Sequence, residues 1–473
     1  MAPLETTRVD VIVIGAGPAG MAAAATAAAH GAQVLLLDEQ PQAGGQIYRD
    51  VERVVSLRGA LLGPDYRHGQ GLAAGLREQG VQHVRGAAVW MVEPGYRVTY
   101  SCGQHSALAE APQLILATGA LERPMPVPGW TLPGVMTAGA AQILFKQSGV
   151  LTPRAVLVGS GPLLYLVAAQ LAAAGAPPLA LLETQTTGDF RQALAHLGGA
   201  LRGWRYLLKG AAMLWALRRA GVRRHTGVSE VHIDGDEAVT GVRFKAQGRA
   251  QRMACETVLL HHGVVPHTQI ARAMDIEHRW DDDGQCFVPQ RDAWGETAQA
   301  GVFIAGDSAG IGGARVAECD GRLAALRALQ HLARLSEPQA ADLAAPLRRE
   351  REGHAAVRPF LDRAYPPFAQ ALQPSDETVV CRCEEVTAGD IRGYAKLGCL
   401  GPNQAKAFGR CGMGPCQGRM CGLSVSRLLA DAHGMHPDAV GYQRIRSPLK
   451  PVTLAELASM HDADAAQPAN AGH

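Results

Sequence analysis

The 473-residue sequence predicts an α/β protein with two nucleotide-binding units and a small cysteine-rich module near its C-terminal end. Residues 9–38 and 155–183 each show a short apolar strand, a glycine-rich loop, an apolar helix and a second strand that ends in an acidic residue. Six of the ten cysteines lie between Cys381 and Cys421. A chain of this length is expected to divide into domains of roughly 100–200 residues, each large enough to bury its own core.

Composition and charge exclude several classes of protein. Hydrophobic residues make up 47 % and charged residues 19 % of the chain, which excludes a wholly disordered protein and a coiled coil. The net charge of +2 is too near neutral for binding to a phosphate backbone, so no nucleic acid partner is expected. Residues 1–10 lack the basic and apolar segments of a secretory leader, and we expect a reducing, cytoplasmic setting. Residues 11–37 are uncharged, but their glycines indicate a nucleotide loop rather than a transmembrane segment.

The first unit has the complete pattern of a dinucleotide-binding βαβ unit. A β-branched run leads into the loop GAGPAG, an alanine-rich helix and a second strand that ends at Asp38. Gly15 permits the tight turn, Gly17 lets the backbone approach a pyrophosphate, and Gly20 allows close helix packing. The helix N-terminus offers N–H groups and the positive end of its dipole to phosphates. Asp38 lies 23 residues after Gly15, about where a ribose-binding carboxylate is expected.

Three later segments resemble those that hold FAD in the glutathione-reductase-like family with two dinucleotide-binding domains. Residues 41–47 resemble its glycine-rich loop on the flavin side, and residues 114–119 resemble its ATG segment. Residues 297–307 resemble its last FAD motif, in which the aspartate, here Asp307, takes a ribityl hydroxyl. The resemblance therefore implies FAD as the cofactor of the first unit. The expected FAD contacts are Gly15, Gly17, Pro18, Ala19, Gly20, Asp38, Glu39, Gly44, Gly45, Gln46, Val89, Thr118, Gly119, Gly306 and Asp307.

The second unit repeats this design with one change. Its loop is GSGPLL, and its second strand ends at Glu183, 24 residues after Gly159. Leu164 replaces the third glycine, which weakens the close helix–strand contact that brings a pyrophosphate to the helix. We therefore expect a Rossmann-like domain whose nucleotide site is altered or lost, with NAD binding as the alternative. No arginine follows Glu183 closely enough to indicate a 2′-phosphate site.

The connecting segments predict helices and a hairpin. Residues 190–220 predict a helix pair used as a packing surface. Residues 228–244 predict a hairpin, after which residues 258–260 are expected to return to the FAD domain. The helix predicted over 321–332, which includes Arg322, is expected to point its N-terminal end at the flavin. Residues 334–363 predict a helical linker. The apolar positions at helical spacing in the first segment are Leu201, Trp204, Leu207, Leu208, Ala211 and Leu214.

The cysteine cluster predicts a metal centre. Four thiolates suit zinc or a [2Fe–2S] cluster. Residues 381–421 carry six basic and three acidic side chains, a positive surrounding that would stabilise a dianionic cluster. Thr387, with Asp390 three residues later, predicts a capped helix over 387–397. We predict iron–sulfur, with zinc as the alternative. The other cysteines lack the CxxC or CxxxxC neighbours of disulfide reductases, so disulfide reduction is not expected; they are Cys102, Cys255, Cys286 and Cys319.

The whole chain resembles the flavoprotein A subunits of heteromeric amine dehydrogenases of the opine oxidase, hydrogen cyanide synthase and D-hydroxyproline dehydrogenase type. The FAD motifs, the GSGPLL loop and the segments CRCEEVT and GMGPCQGRMC carry this resemblance. It implies an electron-transfer protein with FAD and [2Fe–2S], which receives electrons from a D-amino-acid-oxidase-like β subunit. These electrons then pass to an acceptor. The resemblance also implies an FMN near the subunit interface. A small ferredoxin-like subunit is a further expected partner.

The cluster ligands follow partly from spacing and partly from resemblance. The module resembles the bacterioferritin-associated-ferredoxin-like (BFD-like) fold, whose ligands follow CxC and then CxxC. Met413 stands where a CxxC ending at Cys416 needs a cysteine, so the partner of Cys416 is Cys411 or Cys421. The form of this segment in the A subunits favours Cys421, which leaves Cys399 and Cys411 as free thiols. The predicted metal ligands are Cys381, Cys383, Cys416 and Cys421.

Two other functions stay open from the sequence. One is a self-sufficient NAD(P)H-dependent flavin and iron–sulfur reductase, and the other is a non-catalytic iron–sulfur docking module. No residue is assigned as catalytic, because the chain offers no evident general base. The predicted domains are an FAD-binding domain (1–150), a Rossmann-like domain (151–250), the returning FAD domain (251–332), a linker (333–375), a BFD-like domain (376–430) and an extension whose end is expected to be disordered (431–473).

Overall fold

The computed structural model describes residues 6–464 of the chain. The part before residue 123 alternates strands with helices and adds a sheet of β5, β6 and β7, with β1 at its edge. Its elements are β1 (Thr7–Arg8), β2 (Val11–Ile14), α1 (Pro18–Ala29), β3 (Val34–Asp38), α2 (Val51–Leu62), α3 (Pro64–Glu78), β4 (Gln82–Arg85), β5 (Ala87–Glu93), β6 (Arg97–Cys102), β7 (His105–Glu110), β8 (Gln113–Leu116) and β9 (Ala120–Glu122).

The next part of the chain forms the second unit. Its elements are β10 (Val135–Thr137), α4 (Ala138–Ser148), β11 (Ala155–Gly159), α5 (Pro162–Ala173), β12 (Ala180–Glu183), α6 (Thr187–Ala193), a 3-10 turn (Leu194–His196), α7 (Leu197–Arg202), α8 (Trp204–Arg219), β13 (Arg223–Thr226), β14 (Ser229–Gly235), β15 (Val239–Ala246), β16 (Arg249–Ala254) and β17 (Thr257–His261). A parallel sheet has the order β10-β17-β11-β12-β13, and β14, β15 and β16 form an antiparallel sheet beside it. The predicted hairpin is therefore confirmed.

Two predictions for this unit are wrong. Residues 258–260 do not return to the FAD domain, because β17 is a buried strand between β10 and β11. An apolar run of this kind is stable in the middle of a parallel sheet, where both faces are covered. The helices over 190–220 form, but Leu201, Trp204 and Leu208 are exposed rather than packed. Leu217 is the one residue of α8 that is fully buried, since that helix contacts α5 along a narrow side.

The chain then completes the first unit. Its elements are β18 (Val264–Pro266), α9 (Gln269–Ala273), β19 (His278–Asp281), β20 (Cys286–Pro289), β21 (Val302–Ile304), a 3-10 turn (Gly306–Ala309) and α10 (Ala314–His331). The main sheet has the order β21-β8-β2-β3-β4, with all neighbours parallel. Val11–Ile14 are at most 5 % exposed because apolar clusters cover both faces of this sheet. The two units are joined where β9 pairs with β18.

The helix predicted over 321–332 begins seven residues earlier than expected. Gly313, with φ of 87°, precedes the first residue of α10, Ala314. The glycine-rich turn before it lets the chain reverse direction sooner than the apolar pattern indicates. Arg322 therefore lies inside the helix, where it pairs with Glu318 at 2.6 Å, and does not mark the helix N-terminus.

The C-terminal part contains the linker and the cysteine module. Its elements are α11 (Glu337–Ala355), α12 (Arg358–Ala364), α13 (Ala369–Leu372), β22 (Val379–Cys381), β23 (Val386–Thr387), α14 (Ala388–Lys396), α15 (Pro402–Gly409), α16 (Gly422–His433), α17 (Pro437–Val440) and α18 (Leu454–Asp464). The predicted helical linker is confirmed, and so is the capped helix, because Thr387 and Asp390 form a capping box. The prediction that the chain is disordered beyond Met460 is wrong for residues 461–464, which complete α18, and residues 465–473 lie outside the described residues. No helix within residues 6–464 is long and apolar enough to cross a bilayer.

The close crossing of α1 and α10 holds the glycine-rich loop in place. A Cβ added at Gly321 would overlap the backbone carbonyl of Ala19, at the start of α1. We expect Gly321→Ala to push the helices apart and to lower the stability by about 2 kcal/mol, as overpacking does. Thermal unfolding checks this. Gly75→Ala is the control, because a Cβ there meets only the side chain of Ala25 at 3.8 Å. Equal melting temperatures for both variants would contradict the role given to Gly321.

Candidate functional site

A cavity of ≈ 1970 Å³ opens at the carboxyl ends of the main-sheet strands and continues between the two units. This is where open α/β sheets bind ligands. Three of the predicted FAD residues, Gly20, Gly44 and Gly306, do not line the cavity. The predicted residues on its wall are Gly15, Gly17, Pro18, Ala19, Asp38, Glu39, Gly45, Gln46, Val89, Thr118, Gly119 and Asp307.

The first glycine loop has the shape of a phosphate cradle. Gly15 has φ of 104°, and a Cβ at Gly20 would overlap the Gly15 carbonyl. The loop therefore brings α1 close to β2. Gly17 differs from both, since its φ of −75° suits any residue and an added Cβ would meet only Gly45 Cα, at 3.9 Å. The space beside Gly17 belongs to the cavity, next to the N-terminus of α1.

Asp38 is held at the rim of this cradle by the backbone. One carboxylate oxygen accepts from the Ala16 N–H at 2.5 Å, and the other accepts from the Gln40 N–H at 2.7 Å. The neighbouring Glu39 pairs with Lys450, which comes from the segment between α17 and α18. Lys450 also lines the cavity. The sequence motifs did not indicate it, because it lies more than 400 positions away in the chain.

Arg49 is a cavity residue that sequence reasoning missed. Its side chain is buried, and its Nε finds no hydrogen-bond partner in the described part of the chain. Burial lowers the pKa of this guanidinium. Its Nη2 donates to Gln46 Oε1 at 2.9 Å, and the Tyr66 hydroxyl donates to its carbonyl. A buried cation with an unused donor on a cavity wall fits an anionic group of the ligand.

Lys146 supports the glycine-rich loop of residues 41–47 in the first unit. Its ammonium donates to the carbonyls of Gln46 and Ile47 at 3.1 and 2.9 Å, from the side of α4. Burial lowers the pKa of Lys146 to about 7. The loop that resembles the flavin-side segment is therefore fixed by a side chain from the second unit, which no local motif could indicate.

Asp307 and the start of α10 form the opposite wall. One oxygen of Asp307 accepts from the N–H groups of Gly312 and Gly313, both at 2.9 Å. Burial raises the pKa of this carboxyl, while the two N–H groups act in the opposite direction. The Thr118 hydroxyl donates to the carbonyl of His267 at 2.8 Å. The cradle at Gly17, the cation at Arg49 and these carboxylates together fit the pyrophosphate and hydroxyl groups of FAD.

The glycine loop of the second unit lines the same main cavity, through Ser160, Gly161 and Pro162. Two other motif positions of this unit differ from those of the first unit. Leu164 is fully buried in the core of the unit, and Glu183 is 0 % exposed. Both oxygens of Glu183 accept from Arg224 Nη2, at 2.8 and 3.0 Å. A carboxylate paired in this way is not free to bind a ribose. Arg224 comes from β13, 41 residues later, so the sequence spacing did not reveal this ion pair.

The linker contacts the glycine loop of the second unit at Ser160. The Ser160 hydroxyl donates to the carbonyl of Pro366 at 3.0 Å. The ring of Tyr365 packs edge-on against the rings of Tyr165 and Phe190, with centroids 6.1 and 5.6 Å apart. The chain after α12 thus lies against the loop where a second dinucleotide would place its phosphates.

The thiols of the C-terminal module converge in two neighbouring sets. In the first set, Cys411 and Cys421 donate thiol hydrogen bonds to Cys381, whose pKa is lowered for this reason. The same interaction raises the pKa of Cys411 and of Cys421. In the second set, Cys383 and Cys416 are hydrogen-bonded to each other. The structure therefore gathers the four predicted ligands, and it also places Cys411 beside two of them.

Two glycines approach the sulfur ligands closely, whereas the predicted free thiol of Cys399 lies apart from them. The N–H of Gly412 donates to the sulfur of Cys381, and a Cβ at Gly414 would overlap that of Cys383. Cys399 lies apart, with its thiol directed to the carbonyl of Gly401 at 3.4 Å. Within the described residues, no group of three or more His, Cys, Asp or Glu side chains is already arranged to hold a metal ion.

One loop of this module reaches the main cavity. Arg419 lines the cavity and donates from Nε to the carbonyl of Cys416 at 3.0 Å. The side chain of Gln269, on α9, donates to the carbonyl of Gln417 at 3.0 Å. Burial lowers the pKa of Arg419. A cysteine of the second set is thus one hydrogen bond away from a cavity residue.

Two family models match the chain. The model described as pyridine nucleotide-disulphide oxidoreductase matches residues 9–321, and the model described as sarcosine oxidase A3 domain matches residues 375–461. The first covers the parallel sheets of both units and most of the cavity wall, and the second covers the cysteine module. The described fold thus agrees with the predicted α/β class.

Curated proteins of similar length match the chain from end to end. The A subunit of opine oxidase from Rhizobium meliloti (strain 1021) is 44 % identical over 95 % of this chain and 98 % of its own. The HcnB subunit of hydrogen cyanide synthase from Pseudomonas protegens is 34 % identical over 94 % of this chain and 96 % of its own.

Among solved structures, L-proline dehydrogenase from P. horikoshii superposes with a TM-score of 0.70, over 97 % of this chain and 81 % of that one. At 18 % identity this similarity shows a shared fold. The family match over residues 9–321 and the end-to-end identity with the A subunit of opine oxidase extend beyond the fold. The chain therefore belongs to the pyridine nucleotide-disulphide oxidoreductase family and, within it, to the group of the opine oxidase A subunits, as an FAD-dependent oxidoreductase.

Proposed function

We propose that the chain is the electron-transfer subunit of a heteromeric amine dehydrogenase or oxidase, with FAD in the main cavity and a [2Fe–2S] cluster in the C-terminal module. The observation that carries this proposal is the contact of Arg419, a wall residue of the cavity, with Cys416. A direct contact of this kind supports electron exchange between the two sites within one chain. The names of the relatives, each a subunit, support a heteromeric assembly.

The cavity residues would bind FAD and hold it in one orientation. The N-terminus of α1 and the Arg49 guanidinium would neutralise the pyrophosphate, while Asp38 and Asp307 would accept from ribose and ribityl hydroxyls. The N-terminus of α10 would face the ring, where its dipole favours negative charge. When bound, FAD would accept two electrons together and release them one at a time.

The arrangement of the thiols supports iron–sulfur over zinc. A structural zinc ion takes four ligands around one point, whereas a [2Fe–2S] cluster divides four thiolates between two irons. The described thiols fall into two neighbouring sets, with Cys383 and Cys416 in one and Cys381, Cys411 and Cys421 in the other. The N–H of Gly412 would stabilise negative charge on sulfur. We keep Cys381, Cys383, Cys416 and Cys421 as the proposed ligands.

Electrons would enter from a partner rather than from NADH. In the second unit the acidic residue, Glu183, is paired with Arg224, and Ser160 of its glycine loop is hydrogen-bonded to the linker. These contacts weigh against the alternative of a self-sufficient NAD(P)H-dependent reductase. The proposed electron donor is a D-amino-acid-oxidase-like β subunit, which oxidises an opine, hydroxyproline or glycine. An FMN at the subunit interface and a small ferredoxin-like subunit belong to the same proposal.

Gly17→Ala should lose FAD while keeping the fold. The added methyl group would enter the cavity beside the N-terminus of α1, whereas Gly17 has an ordinary φ and no neighbour closer than 3.9 Å. We expect FAD affinity to fall at least about tenfold, because the pyrophosphate loses its close approach. Equilibrium dialysis of the apoprotein measures it. Gly71→Ala, with nothing within 4 Å of its Cβ, is the matched control. Full FAD occupancy in Gly17→Ala would refute the assignment of this loop.

Serine substitutions test the cluster ligands. The purified protein should contain about two irons per chain, and Cys383→Ser and Cys421→Ser should each lose the visible absorbance of the cluster. Cys399→Ser should keep it, because that thiol lies apart from both sets. Cys411→Ser should also keep it, although Cys411 touches Cys381 and Cys421. A colourless Cys411→Ser beside a coloured Cys421→Ser would make Cys411 the fourth ligand, and zinc in place of iron after anaerobic isolation would exclude the cluster.

The isolated chain should not be reduced rapidly by NADH or by an amine. Anaerobic stopped-flow spectroscopy of flavin absorbance measures both reactions, and addition of the β subunit should make reduction by the amine fast. Fast reduction by NADH would favour the pyridine-nucleotide reductase. Fast reduction by an amine without a partner would place the substrate site in this chain.

A further inference from the structure

The surface of the second unit carries an apolar stripe that faces solvent. Its residues lie on three successive elements, the 3-10 turn, α7 and α8. All six are large apolar side chains between 44 % and 60 % exposed. We call this set the outer stripe, and its members are Leu194, Leu197, Leu201, Trp204, Leu208 and Trp215.

On α8 the outer stripe lies opposite a side that is already occupied. Leu217 is buried there, and Met213 and Leu214 line the main cavity. Trp204 and Trp215 stand eleven residues apart on the solvent side, a distance of about 17 Å along the helix axis. The helix is therefore amphipathic with its second apolar face turned outward. A contiguous apolar patch of this kind on a protein surface marks a site of interaction with a membrane or another protein.

The segment that carries the outer stripe is strongly basic. Residues 190–229 contain eight lysines and arginines and no aspartate or glutamate, in a chain whose net charge is +2. Lys209 pairs with Asp65 and Arg224 with Glu183. The other six form no ion pair or side-chain hydrogen bond with any described residue. They are Arg191, Arg202, Arg205, Arg218, Arg219 and Arg223.

Two of these arginines lie directly on the stripe. The guanidinium of Arg205 is 5.7 Å from the ring of Trp204, and that of Arg219 is 4.7 Å from the ring of Trp215. Each end of the exposed face thus combines an indole with a cation. Helices that lie in the plane of a membrane surface have leucine and tryptophan on one side and arginine beside them. Tryptophan is enriched at the level of the lipid headgroups.

We propose that the outer stripe binds the surface of an anionic phospholipid bilayer, with Trp204, Leu208 and Trp215 inserted below the headgroups and the free arginines on lipid phosphates. A second copy of the chain is the weaker candidate, because two stripes would bring their unpaired arginines together. The observations that carry this inference lie outside the FAD cavity and the cysteine module, so it stands independently of the proposed function.

Vesicle flotation with the full, cofactor-loaded protein tests the proposal. The vesicles contain phosphatidylcholine with phosphatidylglycerol at about three to one, or phosphatidylcholine alone. We expect the protein to float with the anionic vesicles. With the neutral vesicles it should remain at the bottom of the gradient. The double variant Leu208→Glu/Trp215→Glu should reduce the bound fraction about tenfold or more. The control Leu343→Glu/Leu397→Glu adds the same charge at two exposed leucines elsewhere and should float like the unchanged protein.

Tryptophan fluorescence provides a readout that does not depend on a disruptive variant. Three of the six tryptophans, Trp90, Trp130 and Trp280, are buried, so a blue shift on vesicle addition reports on the exposed ones. Trp204→Phe/Trp215→Phe should still float but lose the shift. Failure of the unchanged protein to float, or equal flotation of Leu208→Glu/Trp215→Glu, would overturn the proposal. Loss of a co-purifying protein in that variant, without flotation of the unchanged protein, would overturn it in favour of a protein interface.

Discussion

The structure depends on the close approach of helix backbones to one another and to the main sheet. At Gly20, α1 contacts the Gly15 carbonyl, and at Gly321, α10 contacts the Ala19 carbonyl, with no room for a side chain at either place. This packing presents the N-termini of α1 and α10 to the same cavity. Two positive dipole ends and a buried Arg49 then face one space, which is why the cavity suits a ligand with a pyrophosphate and an electron-accepting ring.

In the second unit, no third glycine brings the helix close to the strand. Leu164 replaces the third glycine and becomes part of the hydrophobic core, while the β11–α5 connection keeps its overall course. Its acidic residue, Glu183, is paired with Arg224, and Ser160 of its loop donates to the linker carbonyl of Pro366. The second unit also carries α4, whose Lys146 donates to the carbonyls of the flavin-side loop of the first unit. Contacts of the second unit therefore shape the neighbouring site.

Local motifs in the sequence predicted more of the site than long-range contacts did. The FAD loop was predictable because Gly15, Gly17 and Asp38 belong to one βαβ unit, whose geometry follows from nearby residues. Lys450 was not predictable, since it reaches the cavity from a segment more than 400 positions after the FAD loop. Arg49 was missed although it lies two residues after the flavin-side loop, because the sequence does not show that its side chain is buried. Helical periodicity showed that residues 190–220 have an apolar face, but periodicity does not tell which side faces solvent. Spacing likewise left Cys411 and Cys421 open, and in the structure both touch Cys381.

The cysteine module is positioned by contacts with the first unit. Its loop meets that unit at Gln269 and Arg419, next to the segment where β18 returns from the second unit. Because β9 and β18 are paired, any rotation of the second unit must strain the strands that flank this contact. The linker adds a further restraint by bonding to Ser160. A domain rotation of the kind that would expose a flavin to a second nucleotide is therefore opposed at both ends of the cavity, and the hydrogen bond from Gln269 to the carbonyl of Gln417 keeps the first unit and the cysteine module together.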